Sequence, residues 1–316
     1  MKSPPASLEL PAPQLAISAR MAPSDWAQLL LLSLIWGGSF FLIAVAVKGL
    51  PVLTIVALRV SIAALVLWGV LLVTGRRMPR GRAVWASFAV MGLANNAIPF
   101  SLIVFAQTQI PSGLASILNA TTPLWTVLVS AIFLSDEPPS AAKLGGVVLG
   151  LGGVAVMMGL DSLAGHGMAL LPQMAMLGAA VSYALSGAYG RRFSRMGIDP
   201  MASATGMLTA SSVMLIPMAL ATGGIPGPEV ALHVWAAVAT LGIICTGFAY
   251  VLFFGILGRA GATNISLVTF LVPVSAIMLG WLFLGEKLSF AHGIGIAMIA
   301  GGLALIDGRL AARRRG

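Results

Sequence analysis

The sequence predicts an all-α membrane protein of ten transmembrane helices, arranged as two inverted five-helix repeats. Three observations lead there: ten apolar stretches of spanning length, a lopsided distribution of Lys and Arg between the loops, and recurrence of the first half within the second. Of 316 residues, 59% are hydrophobic and 9% charged. Soluble domains carry about 25% charged residues, and so few charges cannot cover a water-exposed surface. The apolar runs approach the roughly 20 residues a helix needs to cross about 30 Å of hydrocarbon.

In chain order the predicted segments are 26–46, 53–74, 84–106, 113–134, 141–160, 172–190, 200–221, 231–256, 262–284 and 289–307. The connections are short, so any functional site must lie among the helices. Residues 1–25 contain Pro4, Pro5, Glu9, Pro11, Pro13 and Arg20, which break the apolar core a cleaved signal peptide requires and cannot nucleate a helix. They read as an irregular cytoplasmic lead. The domain division is then a first repeat over 26–160, an external linker over 161–171, a second repeat over 172–307 and a basic cytoplasmic tail over 308–316.

Orientation follows from the cations. With the N-terminus inside, the cytoplasmic face holds Lys2, Arg20, Arg76, Arg77, Arg80, Arg82, Lys143, Arg191, Arg192, Arg195, Arg259, Arg309, Arg313, Arg314 and Arg315, and the outer face only Lys48 and Lys287. This bias predicts both termini in the cytoplasm and supports the segmentation, because a missed helix would scatter the charges over both faces.

The repeat is legible residue by residue. Val84, Trp85 and Ala86 recur 150 residues on as Val234, Trp235 and Ala236, as do Gly92, Ser116 and Pro123 in Gly242, Ser266 and Pro273. After a one-residue slip Glu137 matches Glu286, Gly146 matches Gly295, and Gly152-Gly153 match Gly301-Gly302. Five helices per repeat is an odd number, so the second copy enters from the opposite side. Inverted repeats supply the two near-equivalent packings that alternating access uses.

Trp36-Gly37-Gly38-Ser39-Phe40 in the first segment, Ala57-Leu58-Arg59 in the second, and the doubled block running from Pro123 to Glu137, Gly146 and Gly152-Gly153, and from Pro273 to Glu286, Gly295 and Gly301-Gly302, resemble the EamA family of the drug/metabolite transporter superfamily. The resemblance covers nearly the whole chain after residue 26. It implies ten helices, cytoplasmic termini, a central cavity, residence in a cell inner membrane, and export of amino acids or other small metabolites. The first copy departs at Ser135-Asp136-Glu137-Pro138-Pro139, which replaces the Leu284-Gly285-Glu286-Lys287-Leu288 of the second, so the shape of that loop is open.

Several function classes are disfavoured by composition. The net charge of +9 sits in loops and tail, a pattern of membrane orientation rather than of nucleic-acid binding. Cys245 is the one cysteine, and His166, His233 and His292 are far apart, so no metal-binding motif is present and no cofactor is expected. Every Asp and Glu lies at the end of a segment, as Asp307 does, or in a loop, which argues against an embedded proton relay and against a carboxylate-pair enzyme. The expected partners are a small-molecule substrate and membrane lipids, with the chain a monomer or homodimer.

The candidate site residues follow from polarity at mid-depth. Arg59 is the one charge well inside a span; intramembrane arginine is functional by default, the alternative being snorkelling to outer headgroups or tying helix ends through backbone carbonyls. Pro99, Pro123 and Pro273 lack an amide hydrogen and each frees the carbonyl four residues earlier, on Asn95, Asn119 and Thr269. Such acceptors need partners in protein or in a wet cavity. Asn95 and Asn96 are adjacent, so at least one is expected to face that cavity. Trp36 with Ser39, and Tyr183 with Ser186, share i, i+3 spacing and lie on one face each; Thr246 and Tyr250 lie at comparable depth, and as a set these residues are expected to line the cavity. Small residues at Gly146, Gly150, Gly293, Ala297 and Gly301 read as close helix packing, with dimerisation as the alternative.

The reading that joins these features is a transporter exporting neutral or aromatic amino acids or similar small metabolites through a central cavity by alternating access. Its rivals are a lipid-modifying or lipid-flipping membrane protein, for which no reactive set is evident, and a non-transporting scaffold, which would not require polar residues and broken helices at mid-membrane.

Overall fold

A chain this apolar must satisfy its own backbone hydrogen bonds, and helices do so within each segment. The computed structural model describes residues 22–133, 140–158, 170–223, 226–227, 229–265, 267–287 and 289–307, and every regular element among them is helical. The first half comprises α1 (Pro23–Ala46), α2 (Val52–Val73), α3 (Arg82–Gly92), α4 (Ile98–Gln107), α5 (Ser112–Asn119), α6 (Thr122–Phe133) and α7 (Ala141–Met158). The second comprises α8 (Leu170–Arg195), α9 (Pro200–Gly223), α10 (Leu232–Gly242), α11 (Ala249–Ile265), α12 (Val268–Leu284) and α13 (Phe290–Asp307).

Seven helical stretches are long and apolar enough to cross a membrane, among them the composite stretches Arg82–Gln107, Ser112–Phe133 and Leu232–Gly261. Ala141–Val156, Leu271–Leu284 and Phe290–Leu305 are shorter apolar helices. The outward faces are apolar too: Leu65, Leu72 and Phe290 are all largely exposed, as surfaces bathed in lipid should be. The protein is a multi-pass membrane protein. Trp26 and Trp281 are exposed near helix ends, where amphipathic rings sit at an interface.

The packing comes in matched pairs. α2 packs on α9 and α7 on α13, each joining equivalent segments of the two halves; α1 packs on α12 as α8 packs on α5 and α6; α3 packs on α9 as α10 packs on α2. The small faces of α7 and α13 serve this contact within the chain. A Cβ on Gly153 would strike the Gly295 carbonyl, and one on Gly302 the Gly146 carbonyl, so the two backbones meet without side chains between them.

Several boundaries differ from the sequence expectation; α8, for one, spans Leu170–Arg195 rather than 172–190. Proline preset for a helix start stands first in α1, so Pro23, Ser24 and Asp25 belong to the helix rather than to the lead. Asp25 is therefore a helical carboxylate, although it stays in the first turn, where it accepts from the Ala22 amide at 3.3 Å and pairs with Arg259 Nε at 3.1 Å. α11 runs on to Ile265 past a bend at Gly261, whose φ of 79° is left-handed, and the next helix starts only at Val268. The Ser135–Pro139 loop with Glu137, most of the 161–171 linker, and the 308–316 tail lie outside the described residues.

Candidate functional site

Three interruptions of regular helix shape the centre of the molecule. The first is a π turn at Leu93–Ala97, a widened turn of the kind that recurs at functional sites. Pro99 still orphans a carbonyl, but i→i+5 counting moves the orphan from Asn95, as expected from α-helical spacing, to Ala94. The Ser182 hydroxyl donates to that carbonyl at 2.6 Å. The second is the break between α5 and α6 just before Pro123, where the freed Asn119 carbonyl accepts from Thr122 Oγ1 at 2.7 Å. The third is a π turn at Ile243–Phe248, in which Thr246 Oγ1 donates to the Leu241 carbonyl at 2.8 Å. By contrast, α12 continues through Pro273 without a break, a correction to the sequence expectation. Upstream of it the chain bends at Gly261, and regular helix ends at Ile265 and resumes at Val268.

These interruptions surround a cavity of about 470 Å³ lined from both halves. Trp36, Ser39, Arg59, Asn95, Asn119, Tyr183, Thr246, Tyr250 and Thr269 all stand on its wall. Asn96 does not: it is fully buried behind the wall and donates to Ser211 Oγ at 3.1 Å. The reason is rotation within the π turn, which carries one of two adjacent side chains inward and the other toward α9. Helices α2 and α9 contribute to the wall through Arg59, a sequence candidate, and Met207, which the sequence did not single out.

The wall is mainly apolar and includes seven aromatic side chains. Trp36 and Phe253 approach at 5.6 Å between ring centroids, and Tyr250 stacks on Phe254 at 6.0 Å. Phe253, Phe254 and Phe100 were missed in the sequence; Phe253 and Phe254 stand three and four residues after Tyr250, spacing that places them on the same helical face. A polar chain crosses between helices: Ser186 Oγ donates to Asn95 Oδ1 at 2.8 Å and Asn95 Nδ2 donates to Tyr250 OH at 3.2 Å. The Asn119 carboxamide, by contrast, makes no hydrogen bond among the described residues, and its Oδ1 is buried without a partner.

Arg59 does not snorkel. It is 6% exposed, its Nε donates to Thr246 Oγ1 at 2.9 Å, and its guanidinium lies 3.9 Å over the Phe100 ring. Stacking on an aromatic face supplies part of what water would have given the cation.

The two halves enclose the cavity unequally. On α1, Gly37 is pressed against α12, and a Cβ there would meet Ser275 Oγ and the Val272 and Ala276 backbone. Its counterpart 150 residues on, Gly187 of α8, lines the cavity, and a Cβ there would meet nothing within 4 Å. At one end of the bundle Gly285, left-handed at φ 66°, ends α12 and turns the chain back. Glu286 then accepts from the Ser112 amide at 2.7 Å, the Ser112 hydroxyl at 2.9 Å and the Gly113 amide at 3.0 Å, capping α5.

The sequence profile of the EamA-like transporter family matches residues 26–159 and again 170–307. The chain belongs to the EamA-like transporter family. Among curated relatives, this transporter is 28% identical to the inner membrane transporter YedA of Escherichia coli over 87% of its own length and 88% of the relative's. It is 25% identical to a probable amino-acid metabolite efflux pump of Escherichia coli, covering 90% and 94% of the two chains. It is 26% identical to a probable terminal-alkyne amino-acid exporter of Streptantibioticus cattleyicolor, covering 94% and 97%. A crystal structure 23% identical to the transporter aligns with a TM-score of 0.65 over 92% of this chain and 99% of the other, which shows a shared fold.

Proposed function

We propose that this transporter exports neutral or aromatic amino acids, or metabolites of similar size, by alternating access through the central cavity. The observation that carries the reading is the cavity itself. Its volume of about 470 Å³ lies within the range typical of small-molecule sites, and its wall combines apolar and aromatic surface with a few polar groups, as such sites do.

The architecture proposed is ten membrane spans in two inverted repeats, 26–160 and 172–307, joined by an external linker, with both termini in the cytoplasm. Support comes from the matched helix contacts, from π turns at equivalent places in the two halves, and from the charge bias of the loops. The unequal packing at Gly37 and Gly187 is what one of two alternating states would display: one side of the bundle closed, the other open. Two relatives named as amino-acid efflux pump or exporter favour that solute class.

In this reading Trp36, Tyr183 and Tyr250 receive the apolar part of the solute, while Ser39, Asn95, Asn119, Thr246 and Thr269 offer hydrogen bonds. The test is counterflow in proteoliposomes with a panel of amino acids, sugars and nucleosides. Exchange of neutral and aromatic amino acids is the expected result, and a panel in which only sugars or nucleosides exchange rejects the solute class.

A further inference from the structure

The cavity wall holds one unneutralised cation. Arg59 is the charged residue among the cavity-lining residues described, and it makes no ion pair among the described residues. Its titratable neighbours are Tyr183, Cys245 and Tyr250, types that are ordinarily uncharged near neutrality. A buried cation without a counter-charge is expensive unless something else neutralises it.

We propose that the guanidinium of Arg59 is the receptor for the carboxylate of the transported solute. The site would then select small monocarboxylates, zwitterionic amino acids included, over their amides and over free amines. This rests on the transporter reading above and specifies the chemistry of the same cavity.

The hydrogen bonding of the guanidinium points the same way. Only Nε has an acceptor, Thr246 Oγ1, while Nη1 and Nη2 donate to no protein group among the described residues. Those atoms carry four of the five N–H donors, in the planar fork that matches the two oxygens of a carboxylate.

The repeat provides an internal control against a purely structural role. Thr246 and Arg59 correspond, 150 residues apart, to Asn96 and Thr209. There the π turn is tied to the neighbouring helix by the Asn96 to Ser211 bond, while Thr209 bonds within its own helix and accepts from Trp68 Nε1. The same crossing is therefore built without a charge. A guanidinium is not needed to join these helices, and what it adds on the Arg59 side is an unpaired anion receptor.

Charge balance narrows the ligand. One cation matches one carboxylate, whereas a dianion would bring a second charge into a wall that is otherwise uncharged and largely apolar. The Asn119 carboxamide, which makes no hydrogen bond of its own, leaves a donor and an acceptor for the rest of the solute.

The experiment labels a Thr269→Cys variant of the full chain in a Cys245→Ala background with an anionic ethylsulfonate thiosulfonate and its cationic trimethylammonium counterpart. Each rate is normalised to the reagent's reaction with a free thiol. With Arg59 present the anionic reagent should be favoured, and Arg59→Gln should reduce the ratio by about tenfold, as loss of a focused cavity potential would. L-phenylalanine and 3-phenylpropanoate should slow labelling while their amides do not. Arg59→Lys should keep the charge preference and weaken the protection, because ammonium lacks the planar fork; it also serves if Arg59→Gln fails to fold. An unchanged ratio in correctly folded Arg59→Gln, an unchanged protection by the acids in that variant, or amides protecting as well as acids would overturn the proposal. None of these readouts requires transport, so a counterflow panel without exchange would reject the transporter reading separately.

Discussion

Gly37→Ala adds one methyl group where the α1 and α12 backbones meet, and the structure gives both signs of its effect. A helical Gly→Ala change by itself stabilises by about 0.5–1 kcal/mol. Here the new Cβ would lie 2.8 Å from the Val272 carbonyl and 2.9 Å from the Ala276 amide nitrogen, and against Ser275 Oγ. Backbone atoms cannot rotate aside, so α1 and α12 must separate, and overpacking of this kind costs about 1–3 kcal/mol. The net expectation is a loss of about 1–2 kcal/mol, read as a lower denaturation midpoint of the purified protein in detergent. Ser275→Ala should rescue little, because it leaves the backbone contacts and gives up the 2.8 Å bond to the Ser33 carbonyl. Gly38→Ala, with only an ordinary 3.7 Å contact to Leu279, and Gly187→Ala, with none, are the controls and should be neutral or stabilising. A Gly37→Ala protein as stable as Gly187→Ala would refute the close α1–α12 contact and the one-sided closure inferred from it.

Other expectations follow from the same geometry. Glu286→Gln replaces a carboxylate that accepts three hydrogen bonds with a neutral group offering one oxygen; it should cost about 1–3 kcal/mol and speed amide exchange at Ser112 and Gly113, and unchanged exchange would refute the cap. The carboxylates of Asp25, Asp199, Glu229 and Glu286 lie in loops, turns or a first helical turn rather than within the spans, so counterflow should need no imposed proton gradient. Strict dependence on an inward proton gradient would contradict this. A Pro79→Cys thiol in a Cys245→Ala background should react only with reagents that reach the cytoplasm, and labelling from outside intact cells would reverse the proposed orientation.

The spans were legible because hydrophobicity dominates their positions, and Arg59, Pro99 and Pro123 stood out because polar or helix-breaking groups are costly in hydrocarbon. What stayed hidden depended on packing between distant segments. The π turn at Ile243–Phe248 contains no proline; it bulges where Gly242 and Gly247 let the backbone approach Ile62 and Val66 of α2, a fit that local sequence does not encode. The inward rotation of Asn95 rather than Asn96 was equally undetermined, since it depends on Ser211 from another helix. Pro273 looked equivalent to Pro123 by repeat, yet Pro123 stands second in α6 whereas Pro273 lies inside α12, which begins at Val268.

The most direct test of the central claim, that solute crosses through this cavity, is the half-saturation concentration for counterflow of the exchanged amino acid in Asn119→Leu, Asn95→Leu and Trp36→Ala proteins. Loss of a side-chain hydrogen bond in a partly wet site should cost about 1–2 kcal/mol, or roughly 5- to 30-fold in affinity for Asn119→Leu. Leu65→Ala, at a residue that is 72% exposed on the outside of the bundle, should leave it unchanged. If all three wall variants fold normally and exchange solute with wild-type half-saturation, the cavity is not the transport site.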